Sequence, residues 1–360
     1  MQAQKILIIR LSSIGDILLT TPLLRALRTS LPDAQLDFVV KANFAEVLRF
    51  HPAINHLYEL NPKGGWSELQ MLGRRLRERR YDVVIDLHKN FRSRYLARAA
   101  KPPEIFRYHK HVLRRWFFVK TKINLMRNVP PIYQRYLEAA APLGIGADQS
   151  PGTGHHLDLF WSSREEQAAE TALSAHNWQP RMPLLGLAPG AGYFTKRWPA
   201  EYFGELAAQV IRAGHQVVVV GGRQDVQLAD QIVNIAAMSI SPEAKSNLIN
   251  LAGALSLLAA AVVIKHCRLV VANDSGLMHI AEAVGTPLIA IFGSTTRELG
   301  FFPQQATSRV VENQGLACRP CSHLGHAQCP RGHFRCMREI LPEQIWAMTK
   351  QMAGVFANQS

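Results

Sequence analysis

Nearly unbroken runs of aliphatic residues alternate along this chain with stretches that repeat an apolar residue every three or four positions. Lys5–Ile9, Leu36–Val40 and Val83–Leu87 read as strands, with helices expected over Ile17–Arg28, Trp66–Arg79 and Phe91–Ala99. After Pro180 the rhythm restarts. Strands are expected at Leu184–Ala188, Gln216–Val220, Leu269–Val271 and Leu288–Phe292, and helices at Ala200–Arg212, Val226–Ala237, Leu255–His266 and Gly276–Val284. Strands with no polar alternation must be covered on both faces, and the intervening helices supply that cover. Each series therefore predicts a parallel sheet between helical layers.

Gly144–Pro183, rich in Gly, Pro and polar residues around one expected helix (Ser163–His176), separates the two series. At 360 residues the chain holds two domains of ordinary size. The predicted architecture is α/β, with two doubly wound Rossmann-like domains over residues 1–165 and 166–360, a linker near 150–180, and a final helix over Pro342–Val355. Ligands of such sheets bind beyond the carboxyl ends of the strands, and between two facing domains they occupy the cleft. The apolar run Leu248–Ile264, interrupted by Asn250, Gly253 and Ser256, reads as a buried core helix and not as a membrane span. Arg10 and Asp16 interrupt the apolar N-terminus, which therefore lacks the continuous core of a signal peptide. A soluble cytoplasmic protein is expected.

Charge is the unusual quantity. Residues 63–135 carry 19 Lys and Arg against 5 Asp and Glu, which accounts for the whole net charge of +14. The remainder is about neutral, so the positive field belongs to one stretch of the first half. It is either a solvated surface or a surface for an anionic partner. Within it, Arg114-Arg115-Trp116-Phe117-Phe118-Val119-Lys120 sets cations on both sides of an aromatic cluster, a pattern shared by membrane-interface anchors and by half-buried helix turns.

Three turns that follow strands carry polar groups. Arg10-Leu11-Ser12-Ser13-Ile14-Gly15-Asp16 has one glycine and so lacks a dinucleotide fingerprint. Its Asp16 is either a cap at a helix start or a general base kept ionised by the helix terminus. The loop Leu187–Pro199 has small residues that admit a close backbone approach, and it delivers Lys196 and Arg197 just before a helix. That suits a diphosphate, although an ordinary loop with exposed charges would look similar. In Asn273-Asp274-Ser275-Gly276-Leu277-Met278-His279, a buried strand runs into a polar turn and a helix whose first amides can bind an anion. Asp274 or Ser275 could instead merely cap the helix, and His279 could sit in the core. Asp225, after Gly221-Gly222-Arg223-Gln224, is either a ribose ligand or a cap. Cys318, Cys321, Cys329 and Cys336, with three histidines among them, fit a structural zinc site, reduced packing thiols or disulfides. Cytoplasmic redox conditions disfavour disulfides.

In this order, these segments resemble the lipopolysaccharide heptosyltransferases of glycosyltransferase family 9, and are most similar to the branch that adds the second heptose. The resemblance rests on the Leu11–Asp16 turn, the Pro-Gly-Ala…Lys-Arg-Trp-Pro loop, Asn-Asp-Ser-Gly-Leu-Met-His, Phe292-Gly293-Ser294-Thr295-Thr296, and Cys-x-x-Cys followed by Cys-Pro-x-Gly-His-x-x-Cys-Met. It runs from residue 5 to about residue 340, nearly the whole chain.

The resemblance implies a GT-B fold, with acceptor on the N-terminal domain and sugar nucleotide on the C-terminal one. It also implies transfer of heptose from ADP-heptose to the inner core of lipopolysaccharide, with inversion and without a required cofactor or catalytic metal. Asp16 would take the proton of the attacking hydroxyl, with Ser13 beside it. Lys196, with Arg197 and the amides of Ser275 and Gly276, would steady the leaving diphosphate. Asp274 would touch the donor sugar, His279 would lie near the phosphates, and Asp225 would reach the ribose. Lys89, Arg92 and Arg94, just past a strand, would face the acceptor, whose carboxylates and phosphates lie at the anionic inner face of the inner membrane. First-heptose or later core transfer is the alternative within the family. A basic nucleic-acid-binding α/β protein is the alternative outside it. The basic segment has aromatics such as Tyr95 and Trp116 but no nucleic-acid-binding motif, so no nucleic-acid partner is expected.

Overall fold

The computed structural model describes residues 4–145 and 156–353. Its first compact unit comprises the chain up to His111 together with Pro130–Phe160. Its sheet contains β1 (Lys5–Ile9), β2 (Gln35–Lys41), β3 (His56–Leu60), β4 (Val83–Asp86) and β5 (Glu104–Arg107). All are parallel, in the order β3-β2-β1-β4-β5. The chain winds outward from β1 to β3, then returns to lay β4 on the other flank of β1. The strand order thus reverses between β1 and β4.

The second unit comprises Val112–Val129 and the chain from Trp161 onward. Its strands are β6 (Leu184–Ala188), β7 (Gln216–Val219), β8 (Leu248–Asn250), β9 (Leu269–Asn273), β10 (Leu288–Phe292) and β11 (Ser308–Glu312). They too are parallel, in the order β11-β10-β9-β6-β7-β8, and here the reversal lies between β6 and β9. Side chains of β1 such as Ile6 and Ile8, and of β6, β9 and β10, have no solvent exposure, as two covered faces require.

Several boundaries differ from those expected. The 165/166 division falls inside the helix Ser163–Ser174, whereas the units divide between Phe160 and Trp161. Val112–Val129 lies in the chain of the first series yet joins the second unit. There Lys122 Nζ donates to the carbonyl of Pro320 at 2.6 Å and Asn124 Nδ2 donates to Glu298 Oε1 at 3.0 Å. The expected helix Ile17–Arg28 is two helices, Ile14–Leu18 and Thr21–Ser30. Pro22 has no N–H for the carbonyl of Leu18, and the Thr21 hydroxyl donates to that carbonyl instead, at 2.8 Å.

The run Leu248–Ile264 is not one helix. Its head is β8, and the helix Leu257–His266 starts only after Ser256, whose Oγ accepts from the amide of Ala259 at 3.1 Å. Of the expected linker, residues 146–155 lie outside the described residues, as does the expected helix end at Val355. No helix among the described residues is long and apolar enough to cross a membrane.

Candidate active site

Each switch point gathers polar groups at the carboxyl ends of its strands. In the first unit, β1 runs into the turn that carries Ser13 as helix N-cap and Asp16 in the first turn of the helix. Asp16 Oδ2 accepts from the Ser13 hydroxyl at 2.8 Å and from the Ser13 amide at 3.3 Å. Its Oδ1 lies 2.6 Å from Arg10 Nη2. Arg10 in turn donates through Nη1 to the carbonyl of Leu87, so it bridges the ends of β1 and β4, and its guanidinium lies 5.6 Å from the centre of the Tyr136 ring. Burial works to raise the Asp16 pKa, but the Arg10 charge and the Ser13 hydrogen bonds outweigh it and hold the carboxyl below its ordinary range.

Beyond β4, His88 faces the same space. Burial, reinforced by Arg10 and Lys110, pushes its imidazole down to about 3, so the ring is neutral at any ordinary pH. His88 Nδ1 and Tyr136 Oη are buried and find no hydrogen-bond partner. Buried polar atoms are seldom left so, and two of them beside an ionised carboxylate mark a place for a polyhydroxylated ligand.

In the second unit, Lys196 Nζ meets Asp274 Oδ2 at 2.7 Å, and the Thr295 hydroxyl donates to the same oxygen at 2.7 Å. These groups come from the loops after β6, β9 and β10. Asn273, fully buried, fastens the first of these loops: its Oδ1 accepts from the Trp198 amide at 3.0 Å, and its Nδ2 donates to the carbonyl of Pro189 at 2.7 Å. Ser275 is the N-cap of the helix Gly276–Ala283, its hydroxyl makes no capping bond, and Ser275 Oγ and Thr296 Oγ1 are buried without a partner. A lysine, a helix N-terminus and unpaired hydroxyls on the loops after three neighbouring strands suit the oxygens of a diphosphate.

The other residues singled out in the sequence divide. Arg197 turns back on its own loop, Nε donating to the carbonyl of Ala191 at 2.9 Å. Asp225 accepts the Gly222 amide at 2.9 Å and is nearly buried, so capping is the use its Oδ2 already has. His279 is buried one turn into its helix, with Nδ1 3.3 Å from Glu282 Oε2. Lys89 Nζ lies 3.4 Å from the carbonyl of Tyr108.

Lys89 and Arg94 also line a groove of about 750 Å³ between the helices Gly65–Glu78 and Phe91–Ala99. Arg74, Arg77, Arg98 and Lys101 complete its cations, and no carboxylate lines it. Trp66 stacks on Phe91 and tilts against Tyr95 at its edge. Arg92, on another side of its helix, is not part of the groove lining.

The four C-terminal cysteines lie close together, with Cys318 Sγ 3.8 Å from His333 Nε2. All are free thiols, and among the described residues no group of three or more His, Cys, Asp or Glu is arranged to hold a metal. Burial keeps the Cys321 thiol protonated and pushes Cys336 up to about 12. The segment acts as a brace. Arg319, nearly buried, pairs with Glu312 at 2.6 Å and donates to the carbonyl of Thr295 at 2.8 Å. The amide of His326 donates to Thr195 Oγ1 at 2.8 Å, one residue before Lys196.

Sequence reasoning missed His88, Tyr136, Thr295 and Thr296 as site-forming groups. Sheet order brings His88 beside Asp16 and Thr295 beside Asp274, and helix packing brings Tyr136 to Arg10.

The sequence model of glycosyltransferase family 9 (heptosyltransferase) matches residues 69–331. The chain belongs to this family. It is a glycosyltransferase, and its two doubly wound units are those of the GT-B fold. It is 31% identical over 301 residues to lipopolysaccharide heptosyltransferase 2 of Salmonella typhimurium, covering 81% of this chain and 83% of that one. It is 30% identical to lipooligosaccharide heptosyltransferase 2 of Haemophilus influenzae, covering 94% and 96%. Among solved structures it is similar to Escherichia coli ADP-heptose lipopolysaccharide heptosyltransferase II, with a TM-score of 0.74, 26% identity, and 97% and 98% coverage. Heptosyltransferases numbered 1, of Pseudomonas aeruginosa, and 3, of E. coli, match at 26% and 27% identity.

Proposed function

We propose that this enzyme transfers heptose from ADP-heptose to the inner core of lipopolysaccharide, with inversion, and that it adds the second heptose. It would work from the cytoplasm at the inner face of the inner membrane, where an amphiphilic acceptor of this kind is presented. The observation that carries the reading is the set of groups on the loops after β6, β9 and β10: Lys196 held on Asp274, and the buried, partnerless hydroxyl of Ser275 at a helix N-terminus. The names of the most similar relatives support the donor and the position.

Asp16 accepts the proton of the acceptor hydroxyl while that oxygen bonds to the anomeric carbon and the bond to the ADP oxygen breaks. A carboxylate with a lowered pKa is a weak base toward an alcohol. Proton transfer therefore runs late, once the attacking oxygen has acidified by bonding to carbon. Negative charge grows on the leaving diphosphate, and Lys196, the amides of Ser275 and Gly276, and the helix terminus neutralise it without a metal. Lys196 exchanges Asp274 for a phosphate oxygen, which frees Asp274 for the sugar. Arg197 and His279 support this phosphate side, Asp225 the ribose side. Ser13, Lys89 and Arg94 belong to the acceptor side.

The test is ADP release from ADP-heptose with lipopolysaccharides truncated before and after the first heptose. Turnover with the acceptor that ends in one heptose, and an inverted anomeric centre in the product, are expected. Release with neither acceptor refutes the transfer, and preference for the heptose-free acceptor refutes the position. Asp16→Asn lowers kcat by about 10²–10⁴-fold while leaving ADP binding unchanged.

A further inference from the structure

The helix Val112–Thr121 leaves one face open to solvent. Phe118 is its one buried residue, while Val112, Trp116 and Lys120 follow at four-residue spacing on the outer face with Leu113 beside them. Leu113 is 82% exposed and Trp116 60%. Ile123 and Leu125, in the turn that follows, are also exposed, so five of the fifteen exposed large hydrophobic side chains among the described residues fall within residues 112–125. A contiguous apolar patch of this kind is rare on a surface that meets only water.

Charge selects what covers it. From Ile105 to Leu137 the chain has no Asp or Glu, and it has eight Lys and Arg. Arg114, Lys120 and Arg127 are exposed among the apolar side chains. A protein partner would need an apolar face ringed by acids. An anionic bilayer offers both halves at once, acyl chains for Leu113 and Trp116 and headgroup phosphates for the cations. Trp suits that boundary because its ring is apolar and its N–H still reaches water or headgroups. The segment is too short to span a bilayer and no described helix is long enough, so the contact is shallow and reversible.

We infer that residues 112–127 are a peripheral membrane anchor that lies in the headgroup region of an anionic bilayer, with Leu113 and Trp116 inserted and Arg114, Lys120 and Arg127 on the phosphates. This names the surface behind the membrane location proposed above, and to that extent it rests on that reading.

The test uses the whole protein and vesicles without any acceptor, so it is independent of the transferase reading. Co-flotation with vesicles of phosphatidylcholine mixed with phosphatidylglycerol is measured against pure phosphatidylcholine. Binding to the anionic vesicles that weakens with salt is expected. Arg114→Gln and Lys120→Gln should each weaken it about fivefold, and Leu113→Ala with Trp116→Ala about tenfold. Because these side chains are exposed, circular dichroism and melting should be unchanged, as should kcat/KM on a soluble, deacylated acceptor. Equal flotation of wild type and the Leu113–Trp116 double variant overturns the inference. So does displacement of the anionic vesicles by duplex DNA through the same residues, which would make the surface a nucleic-acid site. Vesicle binding without transferase activity leaves the anchor standing and refutes the catalytic reading.

Discussion

Arg10 fixes what Asp16 can be. With its Nη2 2.6 Å from Oδ1, it overrides burial and keeps the carboxyl ionised below the ordinary value of 3.8. With Asp16 as the proposed base, the acid limb of kcat/KM is expected below the ordinary carboxylate range in the wild type. Arg10→Met removes the largest lowering influence and leaves burial, so the limb should move up, toward or past the ordinary carboxylate range, in a pH–rate profile. An unmoved limb would mean that another group sets it. The same linkage fixes the sign for stability: a carboxylate lowered in the folded state contributes stability present above its unfolded pKa, and that contribution is lost as pH falls through the folded value. His88 gives the complementary case. Its imidazole, neutral in the folded protein down to about pH 3, adds no step of its own to the rate profile between pH 5 and 8, whereas its contribution to stability is present above the unfolded value of about 6.5 and falls as pH drops below it; Tyr136 offers its hydroxyl to the same space. His88→Ala should raise the acceptor KM about fivefold, the worth of roughly one hydrogen bond, with the shape of the pH profile and the donor KM unchanged. Asp16 could be singled out in the sequence because it shares one turn with its partners. His88 and Tyr136 could not, because the first reaches Asp16 only through the pairing of β1 with β4 and the second only through tertiary packing.

At the scale of elements, the strands legible in the sequence are the interior ones. The four that were not, β3, β5, β8 and β11, are the four edges of the two sheets. An edge strand is covered less completely and takes polar residues, as in His56–Leu60 and Ser308–Glu312, so the apolar run that signals a buried strand is missing. The helix break before Pro22 was hidden differently, by a continuous apolar periodicity that the missing N–H interrupts without altering the pattern. The loop after β6 combines both cases. Its cations were visible, but the groups that fix it are not local to it: Asn273 holds it at Trp198 and Pro189, and the Cys-rich segment holds it at Thr195. Asn273→Ala leaves the Trp198 amide and the Pro189 carbonyl unpaired in a buried site. At about 1–3 kcal/mol for each unpaired group, about 2–6 kcal/mol of stability should be lost, seen as a lower denaturation midpoint together with a raised KM for ADP-heptose. Gly190 constrains the same loop sterically, since a Cβ there would stand 2.5 Å from Asp225 Oδ2. Gly190→Ala should cost about 1–3 kcal/mol and weaken donor binding through the displaced loop. A variant as stable as wild type would show that the carboxylate yields freely.

Over the whole molecule the net charge of +14 is a located quantity, and the folded chain divides it further than the sequence could. Helical periodicity places Phe91, Arg94, Tyr95 and Arg98 on one face of their helix, where they meet Arg74 and Arg77 across the groove, while Arg92 points elsewhere. Five further cations of the stretch, in Val112–Val129, belong to the other unit. One stretch of sequence thus supplies cations to both units, and a mutation's effect depends on which unit it touches. The groove starts at Lys89, beside His88 and Tyr108, and follows a nine-residue helix away from the strand ends. At about 1.5 Å per residue that is roughly 13 Å, long enough for the charged groups of an acceptor whose reacting hydroxyl, on the function proposed above, would be at Asp16. Arg94→Glu and Arg98→Glu should therefore raise the acceptor KM about tenfold or more, with the donor KM and kcat at saturation unchanged and the effect shrinking as salt screens the groove. Arg92→Glu carries the same charge change outside the lining and serves as the control. A rise of equal size for Arg92→Glu would mean that general electrostatic attraction, not the groove, recruits the acceptor. A rise for Arg94→Glu and Arg98→Glu alone assigns recruitment to this one face of the first unit.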